Sequence, residues 1–451
     1  MFNRTIVKEL ETWAQKADRK PLVLRGARQV GKTTAVKIFS GQFEQYIYLN
    51  LELPDDRKLF EKGYMIDELI QAIFFLKNKK RSKKRTLIFL DEIQNSPNAV
   101  SMLRYFYEFA KEFFIIAAGS LLEPLIDRHI SFPVGRVEYC YIKPVTFNEY
   151  VAALGDISSA EVLTHVPCPR FAHEKLLKQF YQYTLIGGMP EVVRIYKETR
   201  DFCRLKPVYE ALLRSYLDDV EKYARNKILA RVMRHAMESS FYSAGSRIRF
   251  EGFGSSRYKS REMSEALKTL EKAMLVYLMY PSTGVNLPII ADHKKSPRLH
   301  LIDTGLVNYF AGLQKELVST QNLNSVYEGK IVEHIVGQEL LAIYQGISEK
   351  VQFWVREKKQ SNAQVDYILP FRDYVIPVEV KSGTVGRLRS LHEFIDLVPH
   401  NYAVRIYSGE LKIDKVKTIK GKPFFLLNLP FYLTGQIKHY LRWFLDECLK
   451  K

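Results

Sequence analysis

The sequence predicts a multidomain α/β protein that opens with a parallel sheet, and three observations carry the prediction. Short apolar runs alternate with helical patterns over roughly the first third of the chain. The first of these runs leads through a glycine-rich turn into a helix that begins at Lys32. The 451 residues, 47% hydrophobic and 26% charged, are sufficient for about three domains and exclude disorder as the main state.

Taken in order, 22–24 reads as a buried strand, 46–51 as a second, 86–90 as a third and 114–118 as a fourth. Short buried strands separated by helices imply right-handed crossovers and a ligand site at the strands' carboxyl ends. This first domain is expected over 1–147. From 148 to 226 the pattern turns helical, as a lid or linker, broken by Pro167, Pro169 and the turn Gly187-Gly188-Met189-Pro190. The segment 227–318 carries helices at 228–241 and 260–273, then extended stretches at 275–280 and 298–302, the outline of a winged helix. The last domain, 319–451, opens with a helix at 327–344, continues with strands at 351–356, 365–369 and 375–380, and closes with an aromatic-rich helix near 437–449.

No apolar stretch reaches the ~18 residues of a membrane span; the nearest, 113–126, is broken by Gly119, Ser120, Glu123 and Pro124. Charges near the N-terminus interrupt any signal-peptide core, so a cytoplasmic location is expected. Cys140, Cys168, Cys203 and Cys448 are scattered, which points to neither disulfides nor a zinc site and suits a reducing compartment. The 68 basic and 50 acidic residues leave a net charge of +18, which favours a polyanionic partner such as nucleic acid. The densest basic run, 77–85 (KNKKRSKKR), is expected to be a solvated loop ahead of a buried strand.

The turn after the first strand reads Gly26-Ala27-Arg28-Gln29-Val30-Gly31-Lys32-Thr33-Thr34, which matches G-x-x-x-x-G-K-[ST] between a strand and a helix. Backbone N–H groups of such a loop face phosphate oxygens, and the helix N-terminus adds positive potential. Lys32 is expected on the β- and γ-phosphates, with Thr33 supplying a hydroxyl to Mg²⁺. The third strand ends in Asp91 and Glu92. Asp91 would meet the Mg²⁺ through its water shell, and Glu92 would polarise the attacking water, which argues for hydrolysis. The fourth strand, expected beside the third, ends in Gly119-Ser120, where Ser120 would reach the γ-phosphate or the lytic water. Beyond it, Arg136 is a candidate arginine finger for a neighbouring copy's nucleotide, in a homo-oligomer. No N-K-x-D motif is present, so ATP is favoured over GTP. Arg194 is a candidate nucleotide sensor in the lid.

These residues resemble a known group, the prokaryotic AAA-family ATPases whose ATPase domain precedes a C-terminal domain of unknown function. The resemblance is carried by 24–34, 89–94, Ala118-Gly119-Ser120, Gly135-Arg136, 183–190 (YTLIGGMP) and 295–306 (KSPRLHLIDTGL). It implies ATP binding and hydrolysis by an AAA-type core, with a winged-helix segment and a nuclease-like end.

That end is carried by Asp366 and, after twelve intervening residues, Glu379-Val380-Lys381. Glu379 and Lys381 share a sheet face, which Asp366 can join, and Glu333 lies on an upstream helix. The set resembles the PD-(D/E)xK core of a restriction-endonuclease-like α/β domain. That resemblance places Mg²⁺ on Asp366 and Glu379 and water activation on Lys381. Gln364 stands where relatives often carry an acid. The leading reading is therefore an Mg²⁺-dependent, DNA-associated ATPase. The alternative is a nucleotide-gated switch or scaffold whose winged helix binds a protein partner and whose nuclease-like domain is inactive.

Overall fold

A computed structural model describes residues 2, 4–119, 133, 135–312, 330–346, 350–358, 361–383 and 388–450. It divides into two compact units, residues 1–143 with Lys272–Met274, and Pro144–Glu271 with Leu275–Lys451.

The first unit is built on a five-stranded parallel sheet: β1 (Leu22–Arg25), β2 (Gln45–Asn50), β3 (Thr86–Asp91), β4 (Phe114–Gly119) and β5 (Glu138–Tyr141), in the spatial order β2-β3-β4-β1-β5. Every residue of β3 and β4 is buried, which is why both read as unbroken apolar runs: helices cover both faces of such a sheet. One core layer joins Ile47, Leu49, Ile88, Leu90, Ile115 and Ala117 of the strands to Leu69, Ile73, Leu103 and Phe106 of the helices Ile66–Leu76 and Pro97–Phe109. The second of those helices is started by Ser96, whose hydroxyl accepts from the Ala99 N–H, with Pro97 at its first position. β3 and β4 are neighbours, as expected. β5 was not foreseen. The run 77–85 is a largely exposed loop leading into β3, with Arg81 held by Asp67 and Glu112.

In the second unit, helices occupy Phe147–Ala153, Ile157–Val162, His173–Ile186, Pro190–Thr199, Lys206–Tyr223 and Lys227–Tyr242. Helix Ser260–Lys272 precedes β6 (Val276–Met279), which pairs antiparallel with β8 (Arg298–Leu301). Two helices and a two-stranded sheet thus stand where the winged-helix outline was read. β7 (Pro281–Ser282) leaves that pair and joins a seven-stranded mixed sheet with β9 (Gln352–Lys358), β10 (Ser361–Phe371), β11 (Tyr374–Lys381), β12 (Tyr402–Tyr407), β13 (Lys412–Lys417) and β14 (Pro423–Pro430), ordered β13-β14-β12-β11-β10-β9-β7. Helix Arg389–Ile395 covers it through Leu391, Phe394 and Ile395 against Trp354, Val365 and Val375. The opening helix is described over Lys330–Ile343 and the closing one over Ile437–Leu449.

The two distinctive strings of this unit meet inside it. Asp303 is fully buried and accepts from the Gly188 N–H at 2.5 Å and the Leu306 N–H at 3.1 Å. The backbones come so close that a Cβ on Gly188 would stand 2.2 Å from the Val145 carbonyl oxygen, and one on Gly305 1.9 Å from that of Ile186. Alongside, Glu339 accepts from Tyr183 Oη at 2.8 Å and the Phe147 N–H at 3.1 Å. Gln338 donates to Tyr183 Oη and accepts from the Thr304 N–H.

Burial pushes the Glu339 carboxyl up to about 7, against the hydrogen bonds from Tyr183 and Phe147, which favour its charged form. The folded chain therefore keeps this proton in a window where the unfolded chain has lost it. Its contribution is complete below about pH 4.5 and is lost as pH rises towards 7. Relative to Glu339→Gln, the natural chain is expected to lose on the order of 3 kcal/mol across that window and nothing further above it. Denaturant titrations of both chains at several pH values measure the difference.

Candidate functional site

The helix Lys32–Phe39 begins directly from the loop after β1, with Gly31 left-handed at φ 96° as its N-cap and no side chain capping it. Its first N–H groups are thus presented without a competing side-chain acceptor. Lys32 is buried and folds back into the loop, donating to the carbonyls of Gly26 at 2.9 Å and Ala27 at 2.8 Å. Burial lowers its ammonium to about 8, with Glu92 and Asp91 pulling it back up and Arg28 pushing it down. Such an ammonium is poorly solvated and gains from an incoming anion. Val30 is buried, and its carbonyl accepts from Arg4 at 3.2 Å, while the same guanidinium reaches the Lys143 carbonyl at 2.7 Å. Gln29, Thr33 and Thr34 face outward, with Gln29 left-handed at φ 63°.

Asp91, 4% exposed at the end of β3, is the centre of the site. Its Oδ2 accepts from Thr33 Oγ1 at 2.7 Å and from Tyr48 Oη at 3.2 Å, and its Oδ1 from the Glu92 N–H at 3.1 Å. Thr33 and Asp91 are therefore close enough for one cation to engage both, Thr33 through its hydroxyl and Asp91 through the ion's water shell. The donor set is all oxygen, which suits a hard ion such as Mg²⁺. Glu92 is left-handed at φ 52°, a conformation costing a non-glycine residue about 1 kcal/mol and found preferentially at functional sites. The twist turns its carboxylate out of the strand, where Gln94 donates to it.

Tyr48, Gln94 and Arg4 escaped the sequence reading. Tyr48 carried a faint signal, since Tyr46 and Tyr48 recur on one face of β2, but nothing in the sequence says that this face meets Asp91. Gly119 closes β4 as expected, whereas Ser120 lies outside the described residues. Arg136 is partly exposed and pairs with Glu108 at 3.1 Å, which also holds Arg104. Arg194 pairs with Glu198 one turn along its own helix.

In the second unit Glu333, Asp366, Glu379 and Lys381 do converge. Lys381 Nζ lies 2.8 Å from Glu379 Oε1, and Asp366 Oδ2 accepts from the Val380 N–H at 2.9 Å. Arg298, which the sequence reading did not single out, enters the group: its guanidinium lies 3.4 Å from Asp366 Oδ1 and 3.5 Å from Glu333 Oε2. Burial first, then the charge of Asp366, pushes the Glu379 carboxyl up, while Lys381 opposes. Among the described residues no three His, Cys, Asp or Glu side chains are arranged to hold a metal ion. Gln364 sits on β10 opposite Val355.

Residues 18–151 match a family model described as an AAA domain. Residues 177–317 and 328–425 match two further models, described as domains of unknown function (DUF8612 and DUF4143). Among solved structures the chain is similar to the Walker-type ATPase PABY2304 of Pyrococcus abyssi, at 16% identity, 69% of this chain, 96% of that one and a TM-score of 0.44. It is also similar to the Aeropyrum pernix ORC1 protein in complex with DNA (14% identity, 69% and 90% covered, TM-score 0.27). A third is Thermotoga maritima RuvB (15%, 65% and 93%, TM-score 0.28). No curated protein matches the chain. The first unit is an AAA-type P-loop domain by its family match, its strand order and its loop. Among the described residues no helix is long and apolar enough to cross a membrane.

Removing the Tyr48 hydroxyl takes away one of the two side-chain donors that orient Asp91 Oδ2. Tyr48→Phe is expected to weaken Mg²⁺-dependent nucleotide binding about tenfold, the usual effect of losing a group that orients a metal ligand. Titration of a fluorescent ATP analogue with and without Mg²⁺ measures it, and binding without the ion is expected to be unchanged.

Proposed function

We propose that the chain is an Mg²⁺-dependent ATPase that associates with DNA. The observation that carries the reading is the 2.7 Å pair of Thr33 and Asp91 at the mouth of a loop whose lysine is already drawn inward. Bound Mg²⁺ would neutralise charge on the β- and γ-phosphates. Lys32 would exchange the Gly26 and Ala27 carbonyls for phosphate oxygens, which gives its buried positive charge an anionic partner. The N–H groups at the start of helix Lys32–Phe39 would cradle the triphosphate. Glu92, held out of line by its left-handed backbone and by Gln94, would orient and polarise a water for in-line attack. Gly119 ends the neighbouring strand at the same sheet edge, and Ser120 directly follows it as the candidate partner of that water.

Arg136 would complete the site of a second copy. Its pairing with Glu108 is an exposed, solvent-screened one, so release to a neighbour's γ-phosphate costs little. DNA association rests on the +18 net charge and on the basic loop 77–85. In that loop Lys79, Lys80, Lys83 and Lys84 are exposed and make no ion pair with described residues.

Steady-state hydrolysis with Mg²⁺ tests the first part. Lys32→Ala and Glu92→Gln are each expected to lower kcat more than about a hundredfold, with nucleotide affinity retained in the second only. Full turnover in both variants would overturn the reading. Fluorescence anisotropy of labelled duplex DNA across a salt series tests the second part. Affinity should fall steeply and linearly on logarithmic axes, as counterion release requires. An absence of binding at low salt would leave a protein as the partner.

A further inference from the structure

The carboxylates that resemble a nuclease core share their centre with a guanidinium. Arg298, on β8, is 1% exposed. One of its nitrogens donates to the Asp366 carbonyl at 3.1 Å and lies 3.5 Å from Glu333 Oε2, while another lies 3.4 Å from Asp366 Oδ1. The Phe353 and Tyr367 rings sit 5.0 and 5.6 Å from its central carbon, so the group is wedged as well as paired. Tyr367 in turn donates to the Glu333 carbonyl, tying the helix that carries Glu333 to β10.

We infer that Arg298 takes the place of the divalent cation in this cluster, and that the E-x-K set of the second unit is a structural charge clamp rather than a metal site. The charges argue it. Glu333, Asp366 and Glu379 bring three negative charges, and Lys381 and Arg298 bring two positive ones. The two cations thus offset all but one of the negative charges, and the guanidinium does so from within the cluster. Without the guanidinium the same residues would carry two uncompensated negative charges, the balance that calls for a divalent ion.

The ligand atoms argue it too. Both Asp366 oxygens are engaged, Oδ1 by Arg298 and Oδ2 by the Val380 N–H. Glu379 Oε1 is held by Lys381. Glu379 Oε2 is buried and is the one oxygen of the Asp366 and Glu379 carboxyls without a hydrogen-bond partner. A clamp of this kind joins β8, the helix Lys330–Ile343, β10 and β11, all within one unit, and gives the two-stranded sheet a fixed attachment.

The test uses the full chain, free of nucleotide, with Mn²⁺ as the probe and electron paramagnetic resonance to count bound ions. The natural chain and its Asp366→Asn variant are expected to bind the same number, and neither should cleave DNA with Mn²⁺. Arg298→Met is expected to gain about one bound Mn²⁺ per chain, and Asp366→Asn in that background should remove it. An ion bound by the natural chain and lost in Asp366→Asn would overturn the inference, as would a folded Arg298→Met chain that gains none. If circular dichroism shows Arg298→Met unfolded, the comparison of the natural chain with Asp366→Asn and Glu379→Gln decides alone: equal counts support the clamp, and a lost ion refutes it.

Discussion

A carboxylate at the end of a completely buried strand is the constraint around which the first unit is organised. Asp91 closes six consecutive buried positions, and an ionised group in such a place costs several kcal/mol unless hydrogen bonds or a cation compensate it. The parallel sheet supplies the compensation by topology alone. Parallel strands bring all their carboxyl ends to one edge, so the loop after β1, the end of β2 and the turn after β3 converge without any special device. Tyr48 pairs in register with Phe89, two residues before Asp91, and the two-residue period of a strand puts its hydroxyl on the face where that carboxylate lies. Thr33 arrives from the first turn of its helix, and the Glu92 N–H turns back from the left-handed corner.

The second unit answers the same electrostatic problem in the opposite way. Three carboxylates are again placed at strands and a helix, but the chain brings its own cations to them. Where Asp91 is held by neutral hydroxyls and an N–H that can yield to an incoming ion, Asp366 is held by a guanidinium packed between aromatic rings. Neutral donors cost little to displace. A buried arginine does not leave, because removing it would strand an unpaired charge in a low-dielectric interior. The distinction lies in the partners of the acids rather than in the acids themselves.

This difference also explains what could be read from the residues alone. The first four strands were legible to within a residue, since a sheet covered on both faces leaves runs such as Leu87-Ile88-Phe89-Leu90 unmistakable. β5 was not, because Glu138-Tyr139-Cys140-Tyr141 is a half-exposed edge strand with a weak apolar signature. β13 hides for the same reason behind alternating lysines, and β7 is two residues long. The loop, Asp91, Glu92 and the E-x-K set were legible as spacings. Tyr48 and Arg298 were not, because each acts through a neighbour that only the tertiary fold supplies. Arg298 looked like one more basic residue in an alternating strand.

In the most distinctive strings of the chain, distinctiveness comes from packing. Gly187-Gly188 and Asp303-Thr304-Gly305-Leu306 are bound to one another, and Asn308 extends the contact by donating to the Thr184 carbonyl. A buried acid there needs backbone N–H groups aimed at it, and those groups can approach only where a Cβ is missing. Burial raises the Asp303 carboxyl to about 6 even so, with the N–H groups of Gly188, Leu306 and Gly305 pulling it down. Each residue of the pair of strings is thus constrained by the others, and almost any exchange leaves a buried polar group unsatisfied or two backbones in collision. Such mutual constraint is enough by itself to produce a narrow motif. The acid whose partners are neutral and exchangeable lies instead at the carboxyl edge of the parallel sheet.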